Sequence, residues 1–131
     1  MYTKIISGLF VTSIALVLAS SASAHELTPT YVTPEMSYMD GISKAVLTIF
    51  NRREDVRFYE IELFDPEFNN IEFAAASKIL EIEYTQRKTF EVYFKSENTG
   101  GVPTFICTTS KLEKENQTAT MIESRVCSKI K

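Results

Sequence analysis

Hydrophobic and polar residues alternate one for one along much of the chain. Ala45, Leu47 and Ile49 share one face of a strand period. Tyr59, Ile61 and Leu63 oppose Glu60 and Glu62, and Phe90, Val92 and Phe94 oppose Glu91, Tyr93 and Lys95. Apolar residues on one side and charged residues on the other describe antiparallel strands with one wet face. Turn chemistry separates the runs: Asn51 to Asp55, the Asp65-Pro66 turn with its tandem Asn69-Asn70, Asn98-Thr99-Gly100-Gly101, and Lys114 to Gln117. The pattern predicts seven strands, near 26–33, 43–51, 56–65, 71–75, 88–95, 103–112 and 119–130, with a further extended piece near 78–84. Seven short strands with regular turns predict an all-β, immunoglobulin-like sandwich. The run Phe73-Ala74-Ala75-Ala76 could form only a turn or two of helix, and alternation resumes at Ile82 and Tyr84.

Residues 1–24 read as a secretory signal peptide. Lys4 supplies the positive start, residues 5–18 the apolar stretch, and Ala22-Ser23-Ala24 the cleavage site. The mature chain then begins at His25 and forms a single domain over 25–131. No later apolar stretch reaches spanning length, so no membrane association is expected after cleavage. Export to the periplasm or beyond makes the cysteines informative. Cys107 and Cys127 are the only two, so an intramolecular disulfide is the default, with free thiols or an intermolecular bridge as alternatives.

The remaining inventory narrows the chemistry. With 131 residues, 14 basic and 17 acidic side chains and a net charge of −3, the chain does not read as a nucleic-acid binder. One His, two Cys and no Trp cannot build a Cys/His zinc site, and leave a single candidate base for any triad. No catalytic residue, metal site or cofactor is expected.

Four stretches resemble the N-terminal immunoglobulin-like domain of periplasmic pilus-assembly chaperones, the PapD-like family. Leu27-Thr28-Pro29-Thr30-Tyr31-Val32 looks like the family's first strand. The run 45–51 looks like its second strand and closing Asn. KILEIEYTQRKTFEVYF, residues 78–94, and SRVCSKIK, residues 124–131, look like later strands. The resemblance implies the sandwich fold, and one branch of the family carries a disulfide between its sixth and seventh strands, where Cys107 and Cys127 fall. It also implies a partner held at a strand edge, with a first-strand Arg and a seventh-strand Lys as anchors. The matching positions here are Tyr31 and Lys131. The terminal strand offers one row of Thr120, Ile122, Ser124, Val126, Ser128 and Ile130, and another of Met121, Glu123, Arg125, Cys127 and Lys129. Ile122, Val126, Ile130, Lys131 and Tyr31 are therefore the candidate partner-binding residues.

Other residues have plainer readings. His25 at a new N-terminus could chelate copper, but no second His exists, and a solvated terminal His is the expectation. The pairs Glu60/Glu62 and Glu81/Glu83 read as solvated strand faces, and Asn116-Gln117-Thr118 as a glycosylation sequon in a turn. Lys44, Arg52, Arg53 and Arg57 suggest a small basic patch. Tyr31, Tyr38, Phe58, Phe64 and Tyr93 fall opposite the predicted core and point to a binding surface. The expected function is that of an exported, non-enzymatic protein-binding module, chaperone-like, with a protein partner such as a pilin-like subunit. A surface or virion structural or adhesion module is the alternative, and a copper-binding protein the third.

Overall fold

The computed structural model describes residues 24–96, 101–111 and 123–131. These form nine strands: β1 (Glu26–Thr28), β2 (Tyr31–Val32), β3 (Glu35–Met36), β4 (Ile42–Phe50), β5 (Phe58–Phe64), β6 (Ile79–Glu81), β7 (Arg87–Lys95), β8 (Phe105–Lys111) and β9 (Arg125–Ile130). No helix among them is long and apolar enough to cross a membrane. In one sheet β7 lines the whole of one side of β4, while β1 and β3 share its other side. The second sheet runs β2-β9-β8-β5-β6. The fold is an all-β, two-sheet immunoglobulin-like sandwich.

The alternating rows meet between the sheets. Ala45, Leu47 and Ile49 from β4 and Phe90, Val92 and Phe94 from β7 face Tyr59, Ile61 and Leu63 from β5 and Ile106 from β8, all buried. Register keeps each row intact, with Leu47 opposite Phe90 and Leu63 opposite Ile106. A slip by one residue would turn every one of these side chains to solvent, so burial fixes the pairing.

Two predicted strands are corrected. The run 26–33 is two strands on different sheets: β1 pairs antiparallel with β4, then the chain crosses at Pro29 and Thr30 and β2 pairs parallel with β9. The Thr28-Pro29 bond is cis. The crossing is tied to β9 by the Ser128 hydroxyl, which donates to the Pro29 carbonyl at 2.6 Å with the Thr30 carbonyl 3.2 Å away. The run 71–75 is not a strand. Asn70 bridges to Phe64 of the second sheet and Ala74 to Tyr93 of the first, so the segment changes sheets before a ladder can grow. The extended piece near 78–84 supplies the ladder instead, as β6. Alternation did not announce β3. It forms because Gly41, at φ 78°, closes a tight turn back to Ser43 and Lys44.

Cys107 and Cys127 oppose each other directly across β8 and β9 and form a disulfide, their Cα atoms 4.0 Å apart. Both lie on the outer face of the second sheet, since their neighbours Ile106 and Ser128 face inward. Replacing both by Ser should leave the circular dichroism of the native sheet unchanged. It should lower the unfolding free energy in urea by about 3 kcal/mol, through the added chain entropy of the opened loop.

Candidate functional site at the β9 edge

β9 hydrogen-bonds in alternation, and the alternation decides what it can offer. The Ser110 amide donates to the Ser124 carbonyl at 2.9 Å, and the Ile130 amide to the Thr104 carbonyl at 2.8 Å. Ser124, Val126, Ser128 and Ile130 therefore direct their backbone groups at β8. The alternate residues Arg125, Cys127 and Lys129 direct theirs away from it. β2 takes only the last of these: the Lys129 amide donates to the Thr30 carbonyl and the Lys131 amide to the Val32 carbonyl, both at 2.9 Å. Among the described residues no strand covers Arg125 and Cys127 on that side. A short stretch of backbone donors and acceptors stands open, which is the substrate for strand addition.

The start of this edge is held by a buried polar network. Asn51, fully buried, donates its side-chain amide to the carbonyls of Val56 (2.7 Å) and Ile82 (2.8 Å). Its Oδ1 accepts from the Arg53 amide (2.8 Å) and the Tyr59 hydroxyl (2.5 Å). Arg53 forks onto Asp55, with Nε 3.0 Å from Oδ1 and Nη2 2.8 Å from Oδ2, and its Nη1 reaches the hydroxyls of Ser110 and Ser124. The Ser124 amide donates to Ser110 Oγ at 2.8 Å. No buried side-chain polar atom among the described residues lacks a partner, the condition for such a network to hold one geometry.

His25 completes it and corrects the expectation of a solvated residue. Only 3% of it is exposed, and its ring lies 4.6 Å from that of Tyr59. Nε2 sits 3.0 Å from the Thr108 carbonyl and 2.7 Å from Thr108 Oγ1, while Nδ1 lies 3.3 Å from Ser124 Oγ. A carbonyl only accepts, so Nε2 carries the proton and Nδ1 is left as the acceptor. Both nitrogens are engaged, which leaves neither for copper, and no metal-binding cluster occurs among the described residues. Burial pushes the His25 pKa down to about 4, against a smaller opposing effect of the Thr108 carbonyl. The same burial pushes the Tyr59 phenol up to about 12.

The other sequence-derived residues distribute as follows. Val126 and Ile130 pack partly against the core from the inner face of β9. Tyr31 and Lys131 are exposed neighbours at the β2–β9 junction, with the Lys131 ammonium 5.4 Å from the Tyr31 ring centre. Ile122 and the sequon at Asn116 lie outside the described residues. The basic patch does not form as a unit, because Arg53 is buried on Asp55 and Arg52 pairs with Glu26 at 3.1 Å. The strand carboxylates are paired: Glu60 with Lys111, Glu62 with Arg125 and Glu81 with Arg57. Of the outward aromatics, Tyr38 is 90% exposed, whereas Phe64 is buried, with Phe68 packed on it and the Arg125 guanidinium 5.0 Å above its ring. The small hydroxyls Thr108, Ser110, Ser124 and Ser128 gave no signal in the sequence, since isolated Ser and Thr residues are common on wet strand faces.

Known structures share this architecture. The E. coli chaperone DraB superposes with a TM-score of 0.59 at 13% identity, over 82% of this chain and 53% of its own. The Salmonella enterica complex of SafA pilin with the SafB chaperone gives 0.58 at 16%, over 86% and 55%. A PapD-like domain of human CEP192 gives 0.51 at 10%, over 90% and 92%. No protein-family model matches the sequence, and no curated protein matches it either. The chain spans about half the length of the bacterial chaperones it matches. Its fold is the PapD-like immunoglobulin sandwich.

Two measurements check the network. The native pKa of His25 lies below the ordinary value of 6.5, so the unfolded chain takes up the proton first. Stability is then constant above about pH 6.5 and falls by about 3 kcal/mol as the pH drops toward 4. Urea unfolding between pH 7 and pH 4.5 should show this slope, and His25→Gln should remove it. Asn51→Ala strands two carbonyls, an amide and the Tyr59 hydroxyl, and should cost about 3 kcal/mol or more at pH 7.

Proposed function

We propose that the protein is an exported, non-enzymatic binding module that pairs a partner's extended strand onto the open edge of β9. The observation that carries this reading is the outward backbone of Arg125 and Cys127, which no strand covers among the described residues. The disulfide from Cys127 to Cys107 pins that edge to β8, and such a bond persists in oxidising compartments outside the cytosol. The chain shares its fold with chaperones, one of them solved in complex with a pilin. By that analogy the partner is a pilin-like subunit short of a strand. Tyr31 and Lys131 then stand at the end of the edge, where the resemblance puts its anchors, and Lys131 is the cation for a partner's carboxylate.

The CEP192 domain supports a second reading. That match extends over nearly the whole of both chains, so the sandwich also serves as one compact module. In this reading the protein is a structural module of a surface assembly, which docks through the same edge.

Arg125→Pro separates both readings from mere likeness of fold. It removes one outward amide, together with the guanidinium contacts to Glu62 and Thr109 that Arg125→Ala removes alone as the control, and leaves the backbone bonds to β8 in place, a substitution that edge strands tolerate. Affinity capture of the 25–131 chain from its native host, followed by mass spectrometry, should recover pilin-like subunits with the parent protein and at least ten-fold less with Arg125→Pro. Recovery of surface-assembly components in place of pilins selects the second reading. Equal recovery with the variant contradicts the β9 edge as the docking strand.

A further inference from the structure

β7 has a second open edge, on the opposite side of the sandwich from β9. β4 pairs with one side of β7 along its whole length. On the other side the Tyr93 amide donates to the Ala74 carbonyl and the Ala74 amide to the Tyr93 carbonyl, both at 2.8 Å. Among the described residues that is the only bridge there. Tyr93 thus directs its backbone away from β4, and by alternation so do Glu91, Thr89 and Arg87. Beside this edge lies a cleft of 420 Å³, lined by Ala75, Ala76, Leu80 and Phe90 and bordered by Lys88 and Glu91. The cleft exists because β6 is only three residues long, so the gap between Leu80 and Phe90 is left unroofed.

The charges around the cleft are lopsided. Lys88 makes no ion pair among the described residues, and Lys78 rests on the Phe73 ring at 4.7 Å. Glu91 is engaged with the Tyr93 hydroxyl (2.5 Å) and with Lys44 (4.0 Å). A cation facing into the gap therefore stands unanswered beside an apolar slot. The segment from Ala74 to Ser77 closes one end of the edge, so only residues 87–91 are open to a guest.

We propose that this edge and cleft bind a short extended acidic peptide from a partner protein. A guest strand antiparallel to β7 would place one side chain over Phe90, into the slot, and the side chain two residues later beside Lys88. The pattern it reads is apolar-x-acidic. Alternation supplies the spacing, the slot supplies the apolar position, and Lys88 supplies the acidic one. This site lies apart from the β9 edge and does not depend on it.

The test is titration of the 15N-labelled 25–131 protein with the acetylated, amidated peptide TVTDT, and with TVTKT as its charge-reversed partner. Amide shifts should move at Thr89 and Glu91, not at Arg125 and Cys127. Lys88→Glu, an exposed position that leaves the core untouched, should weaken TVTDT about five-fold and strengthen TVTKT by a similar factor. Thr89→Pro, which removes an outward amide together with the exposed hydroxyl bond to Thr48 at 2.9 Å, should abolish both, whereas Thr89→Val, which removes that hydroxyl bond alone, should not. Shifts centred on Arg125 and Cys127 would overturn the proposal by sending the peptide to the other edge. So would affinities indifferent to Lys88→Glu. An absence of shifts at millimolar peptide would also overturn it, and leave Lys88 as a charge that keeps this edge unpaired.

Discussion

Everything that the β9 edge exposes depends on the pairing of β8 with β9. That pairing sets which β9 residues turn inward, which turn outward, and which backbone groups are left over. Two different restraints hold it. The disulfide pins Cys107 to Cys127 on the outer face, while on the inner face Ser128 ties the strand to the crossing at Pro29 and Thr30. A strand held from both faces stays in register although β2 covers so little of its far side. An edge strand without such restraints would fray or slip.

The polar end of the sandwich extends the same logic. Asn51 is placed where β4 leaves the sheet and where four groups would otherwise be stranded. Arg53 carries the connection across to Ser110 and Ser124, and His25 brings the start of β1 into it. The first and last strands are thereby fastened together at the point where β9 begins. Hydrogen bonding here positions the β9 edge, and apolar packing between the sheets supplies the bulk of the stability.

The sandwich was legible because its central strands obey a strict period of two. Ala45/Leu47/Ile49, Tyr59/Ile61/Leu63 and Phe90/Val92/Phe94 name the core outright, and two cysteines on adjacent strands suggest the staple. The edges were less legible. The strand switch at Pro29 and the brief bridge from Ala74 to Tyr93 are settled by contacts distant in sequence, which alternation does not record. His25 misled for a similar reason: a residue beside an expected cleavage site reads as solvated until Thr108, 83 positions away, is seen to accept its proton. The candidate site was half legible. Tyr31 and Lys131 were picked out by resemblance and do lie side by side, whereas Ser124 and Ser128, which gave no such signal, are the groups that anchor the strand.

Amide hydrogen exchange on the isolated 25–131 protein tests the open edge most directly. Val126 and Ser128 bond to β8, and Arg125 and Cys127 point away, so exchange should alternate along four consecutive residues. The account predicts Arg125 and Cys127 exchanging at least a hundred-fold faster than Val126 and Ser128 (an order-of-magnitude expectation for unpaired against paired strand amides). Uniform protection of all four would mean that the edge is already covered, and would contradict it.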